Sequence, residues 1–339
     1  MVSTSSLEAS QVICLGEALV DRIGPIGGEI LNCDLCEDYL GGAPANVACA
    51  LARLGINISF IGRLGNDDIG KSFHDLMSCR EINLKGLQID SLRPSRVVLV
   101  KRDNNGERSF QGFDGDEGAG FADQFLKLNQ IIEIWNELSN RVQWLSVGTI
   151  SLATTFSSES LIWCVENAVS KGIKIALDIN WRPKFWDLEL DASSGPSDIA
   201  LNSIKSLLKK VSFLKLAKEE AIWFFQTSDP LEISMSLPSK PHVVITNGGM
   251  KIHWCLNNLV GETSPVKAIS IVDTTGAGDA FTAGLLHQLV SHTEMPTDLG
   301  KLNEMVRFAA ACGAIVCRSS GAIAPQPNVN EVRQFLSRL

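Results

Sequence analysis

The 339-residue chain predicts an α/β fold built on a mostly parallel sheet. Short runs of strand length alternate with helix-length segments, the pattern of strands and helices taken in turn. The runs at Val12 to Leu15, Ile58 to Ile61, Gln143 to Val147, Ile173 to Leu177, Phe213 to Leu216 and Val243 to Thr246 are apolar on both faces. A strand with no polar face must be covered on both sides, so the sheet is expected between two layers of helices, as parallel sheets are.

Between the runs, Ala43 to Leu54 carries apolar residues at helical spacing and meets Gly55, a residue suited to ending a helix. Asn66 to Cys79 and Ser158 to Lys171 read the same way. The texture changes between Ser95 and Phe113. There Val97-Val98-Leu99-Val100 and Arg108-Ser109-Phe110 flank Asp103-Asn104-Asn105-Gly106, and this composition predicts a hairpin. With Gly27 to Leu40 the hairpin is expected to form a small β-flap outside the main sheet, a lid made of segments 24–40 and 95–113. Asp191 to Asp198 reads as a surface loop.

With 45% hydrophobic and 20% charged residues, the chain has enough apolar side chains for a large core. A formal net charge of -8 and the lack of clustered Lys and Arg argue against a nucleic-acid partner. No apolar run approaches the roughly 20 residues of a membrane-spanning helix, so a soluble protein without a membrane partner is expected. Met1 to Ser10 lacks the basic and apolar regions of a secretory signal. The nine cysteines sit mostly in apolar stretches such as Val12-Ile13-Cys14-Leu15, as reduced core thiols do, and the expected compartment is cytoplasmic. Cys33 and Cys36 have the spacing of half a zinc site, but no second pair completes it.

The most informative stretch begins with a strand-like run at Ile269-Ser270-Ile271-Val272. It passes through Asp273-Thr274-Thr275-Gly276-Ala277-Gly278-Asp279 into an apolar helix. Glycines let the backbone approach closely, and unpaired N–H groups at a helix start point outward with the positive end of the helix dipole behind them. Such a turn suits an anion. Asp279 falls in the first helical turn beside it. Its carboxylate either accepts the proton of an attacking hydroxyl or caps the helix, and the spacing alone favours neither.

Asp21, in Gly16-Glu17-Ala18-Leu19-Val20-Asp21, follows the first strand. A carboxylate there can accept hydrogen bonds from two neighbouring sugar hydroxyls; an ordinary loop acid is the alternative. Gly65-Asn66-Asp67-Asp68-Ile69-Gly70-Lys71-Ser72 matches the P-loop pattern letter for letter. Asp67 and Asp68 would add two negative charges to a triphosphate cradle, so no triphosphate is expected there.

Asp273-Thr274-Thr275-Gly276-Ala277-Gly278-Asp279-Ala280-Phe281 closely resembles the C-terminal signature of the ribokinase-like, or PfkB, carbohydrate kinases. Gly41-Gly42-Ala43-Pro44-Ala45-Asn46-Val47-Ala48, then Arg53-Leu54-Gly55 and Gly62 to Gly70, resemble the N-terminal one. The resemblance spans nearly the whole chain. It implies a ribokinase-like three-layer sandwich with a β-flap lid, one domain over residues 11–339, and an ATP-dependent sugar kinase.

On that likeness Asp279 is the base, and the backbone amides of Gly276, Ala277, Gly278 and Asp279 form the anion hole. Asp21, Gly41, Gly42 and Asn46 are implied sugar contacts. Thr246 and Gly248 lie in the nucleotide loop, and Glu220 helps organise Mg2+ and phosphate, although Ala217 stands where the family carries Asn or Ser. Asp273 and Thr275 are implied ligands of a monovalent cation such as K+. Asp178-Ile179-Asn180-Trp181-Arg182 to Trp186 resembles a stretch of fructokinases and related hexose or keto-acid kinases, which adds Arg182 to the substrate contacts and favours fructose.

Phe110 to Phe113 and Phe121 to Asp123 lack the Arg and Ser that many fructokinases carry in the flap. Lid closure would exclude water from the transfer. Arg96 and Arg108 lie in the flap, either reaching the substrate or exposed on it. The implied cofactors are ATP and Mg2+ with K+, and the implied partners are a sugar and, through the open strand edges of the lid, a second copy of the chain. A kinase of ribose or 2-keto-3-deoxygluconate, or a non-catalytic sugar-binding regulator of the same fold, is the alternative.

Overall fold

A computed structural model of the chain describes residues 9–28, 30, 34–104, 108–266, 270–292 and 294–338. In chain order the strands are β1 (Val12–Leu15), β2 (Leu19–Ile26), β3 (Glu37–Gly41), β4 (Ile58–Gly65), β5 (Asn83–Asp90), β6 (Val97–Arg102), β7 (Arg108–Asp114), β8 (Trp144–Val147), β9 (Lys174–Asp178), β10 (Phe213–Ala217), β11 (His242–Thr246), β12 (Ile252–Leu256) and β13 (Leu259–Thr263). Nine of them form one sheet in the order β13-β12-β11-β10-β9-β8-β1-β4-β5. From β5 to β11 every neighbouring pair is parallel; the β11–β12 and β12–β13 pairs are antiparallel, so β12 alone is reversed.

Side chains alternate across a strand, and here both faces are apolar. Val12, Cys14, Ala176, Phe213 and Val244 enter one core, with the helices Ala43–Arg53, Ala277–Ser291 and Leu299–Val316. Ile13, Leu15, Ile175, Leu177, Leu214 and Val243 enter the other, with the helices Leu128–Leu138, Thr155–Ser170 and Asp198–Leu208. The sheet therefore lies between two helical layers, as its doubly apolar strands require.

The six expected strands of the main sheet form, several longer than their apolar runs. β5, β12 and β13 escaped the sequence reading; the two edge strands, β5 and β13, mix polar with apolar residues, and β13 alternates half-buried and exposed positions up to Thr263. The strand-like run before the glycine loop is a correction. Ile269 lies outside the described residues, and Ser270 to Val272 form no strand. Ile271 and Val272 are exposed, and the N–H groups of Val272 and Asp273 both turn to the carbonyl of Cys317, at 2.8 and 3.3 Å, so no ladder forms.

The second sheet, in the order β3-β2-β6-β7, is the lid. It begins earlier than expected, at Leu19, because β2 follows β1 almost directly. Asp21 is therefore neither at the end of the first strand nor in a loop. It sits inside β2, opposite Tyr39 and Val98. The tip of the β6–β7 hairpin, 105–107, lies outside the described residues. Among the described residues no helix is long and apolar enough to cross a membrane.

Candidate active site

A cavity of about 580 Å³ opens between the lid and the C-terminal ends of the parallel strands. Ligands gather at that edge of parallel sheets because the connecting loops and helix N-termini converge there. Of the residues expected from sequence, Asp21, Gly42, Asn46, Arg182, Thr275, Gly276, Gly278 and Asp279 line it. Gly41 lies just behind, where a Cβ would come within 2.9 Å of Asp21 Oδ2.

The glycine turn is built as its pattern predicts. Gly276 caps the Ala277–Ser291 helix with φ 76, and a Cβ on it would sit 2.4 Å from Ala322 Cβ. Only glycine fits both the left-handed backbone and the space. Asp273 pins the loop from behind. Its Oδ1 accepts the Thr275 N–H at 2.9 Å and the Thr275 hydroxyl at 2.8 Å, and Oδ2 accepts the Gly321 N–H at 3.0 Å. Ala277 does not line the cavity, and its N–H is turned to the Thr274 carbonyl at 3.2 Å.

Asp279 is ringed by protein yet open to the cavity. Asn46 Nδ2 donates to its Oδ2 at 2.7 Å. Burial pushes its carboxyl up, to about 6; the Asn46 bond pulls down, the Asp178 charge pushes up, and Lys215 and Arg182 pull down. The carboxyl is thus not the helix cap, because its hydrogen bond goes to another helix.

Behind Asp279 lies a group the sequence reading missed. Lys215 of β10 faces Asp178 of β9 in register, with Nζ 3.1 Å from Oδ1 and 3.0 Å from Oδ2. Thr282 donates to Asp178 Oδ2 at 2.9 Å. Burial would lower the Lys215 pKa, but Asp178 and Glu220 raise it further, so the ammonium is retained. The available signal was a lysine in the middle of an otherwise apolar run.

Glu17, just past β1, was also missed. Its Oε1 accepts the Ala43 N–H at 3.2 Å. Burial raises its carboxyl to about 8; backbone N–H groups pull down, and Asp123 and Asp279 push up. Within the described residues Glu17 Oε2 and Asn46 Oδ1, both buried, have no hydrogen-bond partner. Hydroxyl groups, which both donate and accept, suit such atoms.

Other expected residues stand apart from the cavity. Both Glu220 oxygens are taken by backbone N–H groups, Oε1 by Trp181 at 2.6 Å and Oε2 by Ala217 at 2.7 Å. With alanine at the helix start, this carboxylate supplies the cap that the Ala217 side chain cannot. Thr246, opposite Ala217 at the end of β11, and Gly248, with φ 51, lie one strand further along the edge.

Arg96 neither reaches the cavity nor lies exposed on the flap. It forks onto Asp123 between the rings of Phe113, Phe121 and Phe185, a buried pair that ties the lid to the body. The side chain of Arg108, and Cys33, lie outside the described residues.

The P-loop match resolves as packing. Asp67 caps the helix Asp68–Cys79, accepting the Gly70 N–H at 2.8 Å, and Gly70 packs against the Gly65 carbonyl where a Cβ would clash at 2.1 Å. Lys71 is 70% exposed and pairs with Asp68.

The family model described as "pfkB family carbohydrate kinase" matches residues 9–329. The chain belongs to this family of carbohydrate kinases. Among similar family members, "Probable fructokinase-6, chloroplastic" of Arabidopsis thaliana is 29% identical over 98% of this chain and 84% of its own length. The fructokinase of Salmonella typhimurium is 29% identical over 96% of this chain and 99% of its own. A crystal structure of the Vibrio cholerae fructokinase, bound to fructose, ADP and a calcium ion, superposes with a TM-score of 0.78 at 27% identity. It covers 96% of this chain and 99% of that one. The ribokinase-like α/β fold expected from the motifs is therefore shown, and so is the sugar-kinase class.

Among the described residues no three His, Cys, Asp or Glu side chains converge on a metal-sized site. Mg2+ in phosphoryl-transfer sites is generally held by substrate phosphates with one or two protein carboxylates.

Proposed function

We propose that this kinase transfers the γ-phosphoryl group of ATP to fructose, giving fructose 6-phosphate. The observation that carries the reading is the Asp279 carboxylate, anchored by Asn46 at 2.7 Å, beside the open start of the Ala277–Ser291 helix in a cavity with orphaned buried acceptors. The sugar lies against Asp21, Gly41, Gly42 and Asn46, with Arg182 at the rim. Asp279 takes the proton of the attacking hydroxyl. The amides of Gly276, Gly278 and Asp279 receive the phosphoryl oxygens, with Ala277 contributing least.

ATP lies along the edge marked by Thr246 and Gly248. Mg2+, when bound, offsets phosphate charge, and Glu220 shapes its surroundings through the backbone it holds. The Asp273 and Thr275 loop is the place for a monovalent cation such as K+. In this reading residues 11–339 act as one domain, in the cytoplasm, and the outer lid strands β3 and β7 are the edges through which two copies pair.

A coupled ADP-release assay with a panel of sugars tests the proposal. Fructose should give the highest kcat/KM. Preference for ribose or 2-keto-3-deoxygluconate would reassign the substrate, and no turnover on any sugar would leave a sugar-binding regulator.

A further inference from the structure

Lys215 puts a buried ammonium in the cavity wall, and its surroundings are not those of a pair kept for stability. Its Nζ lies within 3.2 Å of the point where a Cβ on Gly278 would stand. The absent side chain leaves the charge facing the first turn of the Ala277–Ser291 helix. A helix N-terminus carries partial positive charge, so a cation is disfavoured there unless an anion joins them. Asp178 supplies part of that anion from behind, in register on β9 and held by Thr282 of the same helix. A buried ion pair adds little over well-packed apolar residues and is weak ground for stability. Two positive elements aimed at one spot describe a receptor for incoming negative charge.

We propose that Lys215 is a catalytic residue whose ammonium contacts the phosphoryl group in flight, while Asp178 holds that ammonium in place. The inference rests on the sugar-kinase reading above. As the acceptor oxygen bonds to phosphorus, the bond from phosphorus to the bridging oxygen of ATP breaks and its electron pair leaves with ADP. The hydroxyl proton passes to Asp279. Lys215 keeps its protons throughout and offsets charge on the phosphoryl oxygens.

The test compares wild type, Lys215→Met, Lys215→Gln and the double variant Asp178→Asn with Lys215→Met, as full chains. ADP release with fructose gives the rate. Binding of ADP alone, and of ADP with fructose and aluminium fluoride, gives ground-state and transition-state affinity. Lys215→Met should lose about 100- to 1,000-fold in kcat, the scale of one preorganised electrostatic donor. ADP binding should stay within about threefold while the aluminium fluoride complex weakens in step with kcat, and the double variant should stay slow.

If Lys215 only neutralises Asp178, removing both charges restores the rate, and the proposal is overturned. Lys215→Gln, which keeps a hydrogen bond to Asp178, covers the case in which the Met variant fails to fold; a rate within about threefold of wild type for a folded Gln variant also overturns it. A wild type inactive on every sugar defeats the sugar-kinase reading and this one together, whereas an active wild type with an unaffected Lys215→Gln defeats this one alone.

Discussion

Asn46 Nδ2 and Asp279 Oδ2 meet at 2.7 Å across 233 positions of sequence, joining the two glycine-rich signatures into one site. The bond also tunes the acid. Burial raises the Asp279 carboxyl and Asn46 opposes it, leaving a value of about 6. A base must be deprotonated to act, so kcat/KM should fall as pH drops through about 6. In Asn46→Ala the opposing hydrogen bond is gone, and the acidic limb should move to higher pH, with a greater loss at pH 6 than at pH 8. A full pH profile of kcat/KM checks both, and an unmoved limb would refute the coupling.

Asp279→Asn keeps the shape and the Asn46 contact but removes the carboxylate that the proposed mechanism uses as proton acceptor. Its kcat should fall about 100- to 10,000-fold, the usual contribution of a general base, while the thermal midpoint holds. Steady-state ADP release with melting curves measures the two together.

Gly276→Ala should destabilise the fold by about 1–3 kcal/mol, from forcing a side chain into a left-handed backbone. Here φ is 76 and the new methyl meets Ala322 Cβ at 2.4 Å. Denaturant unfolding gives the difference; a loss within error of zero would mean the loop can relax.

Glu17 sets a pH dependence of stability. Its folded value of about 8 exceeds the ordinary glutamate value of 4.5, so the folded state holds a proton that the unfolded chain releases between those values. The stability it contributes is therefore complete below about pH 4.5 and lost as pH rises through about 8. Glu17→Gln, neutral throughout, should gain on wild type steadily over that window, by a few kcal/mol at the top. Melting both proteins at pH 5, 6.5 and 8 tests the trend, and a constant difference would contradict it.

Lys71→Ala should leave kcat and KM within about twofold of wild type, because surface ion pairs contribute little and this one is exposed. A collapse in ATP turnover would restore the P-loop reading.

The parts legible in the sequence were those whose chemistry is local. The turn from Asp273 to Asp279 needs its glycines wherever the chain goes, and doubly apolar runs such as Val12 to Leu15 demand cover on both faces. What escaped was decided by partners far along the chain. Lys215 looked like a blemish in an apolar strand until β9 placed Asp178 beside it. Arg96 gave no sign of its three rings or of Asp123. Glu220 resembles a family ligand, yet its oxygens complete two backbone hydrogen bonds that local spacing could not reveal.

The alternation of side chains between two apolar compartments gives the Asp178–Lys215 pair a second consequence. Slipping β10 by one residue against its neighbours would bury an ammonium among Leu177, Ile204 and Val243 and turn Leu214 toward the glycine turn. Misaligned chains would thus meet a steep electrostatic penalty during assembly. The charges facing the cavity also act as a proofreading mark for strand alignment.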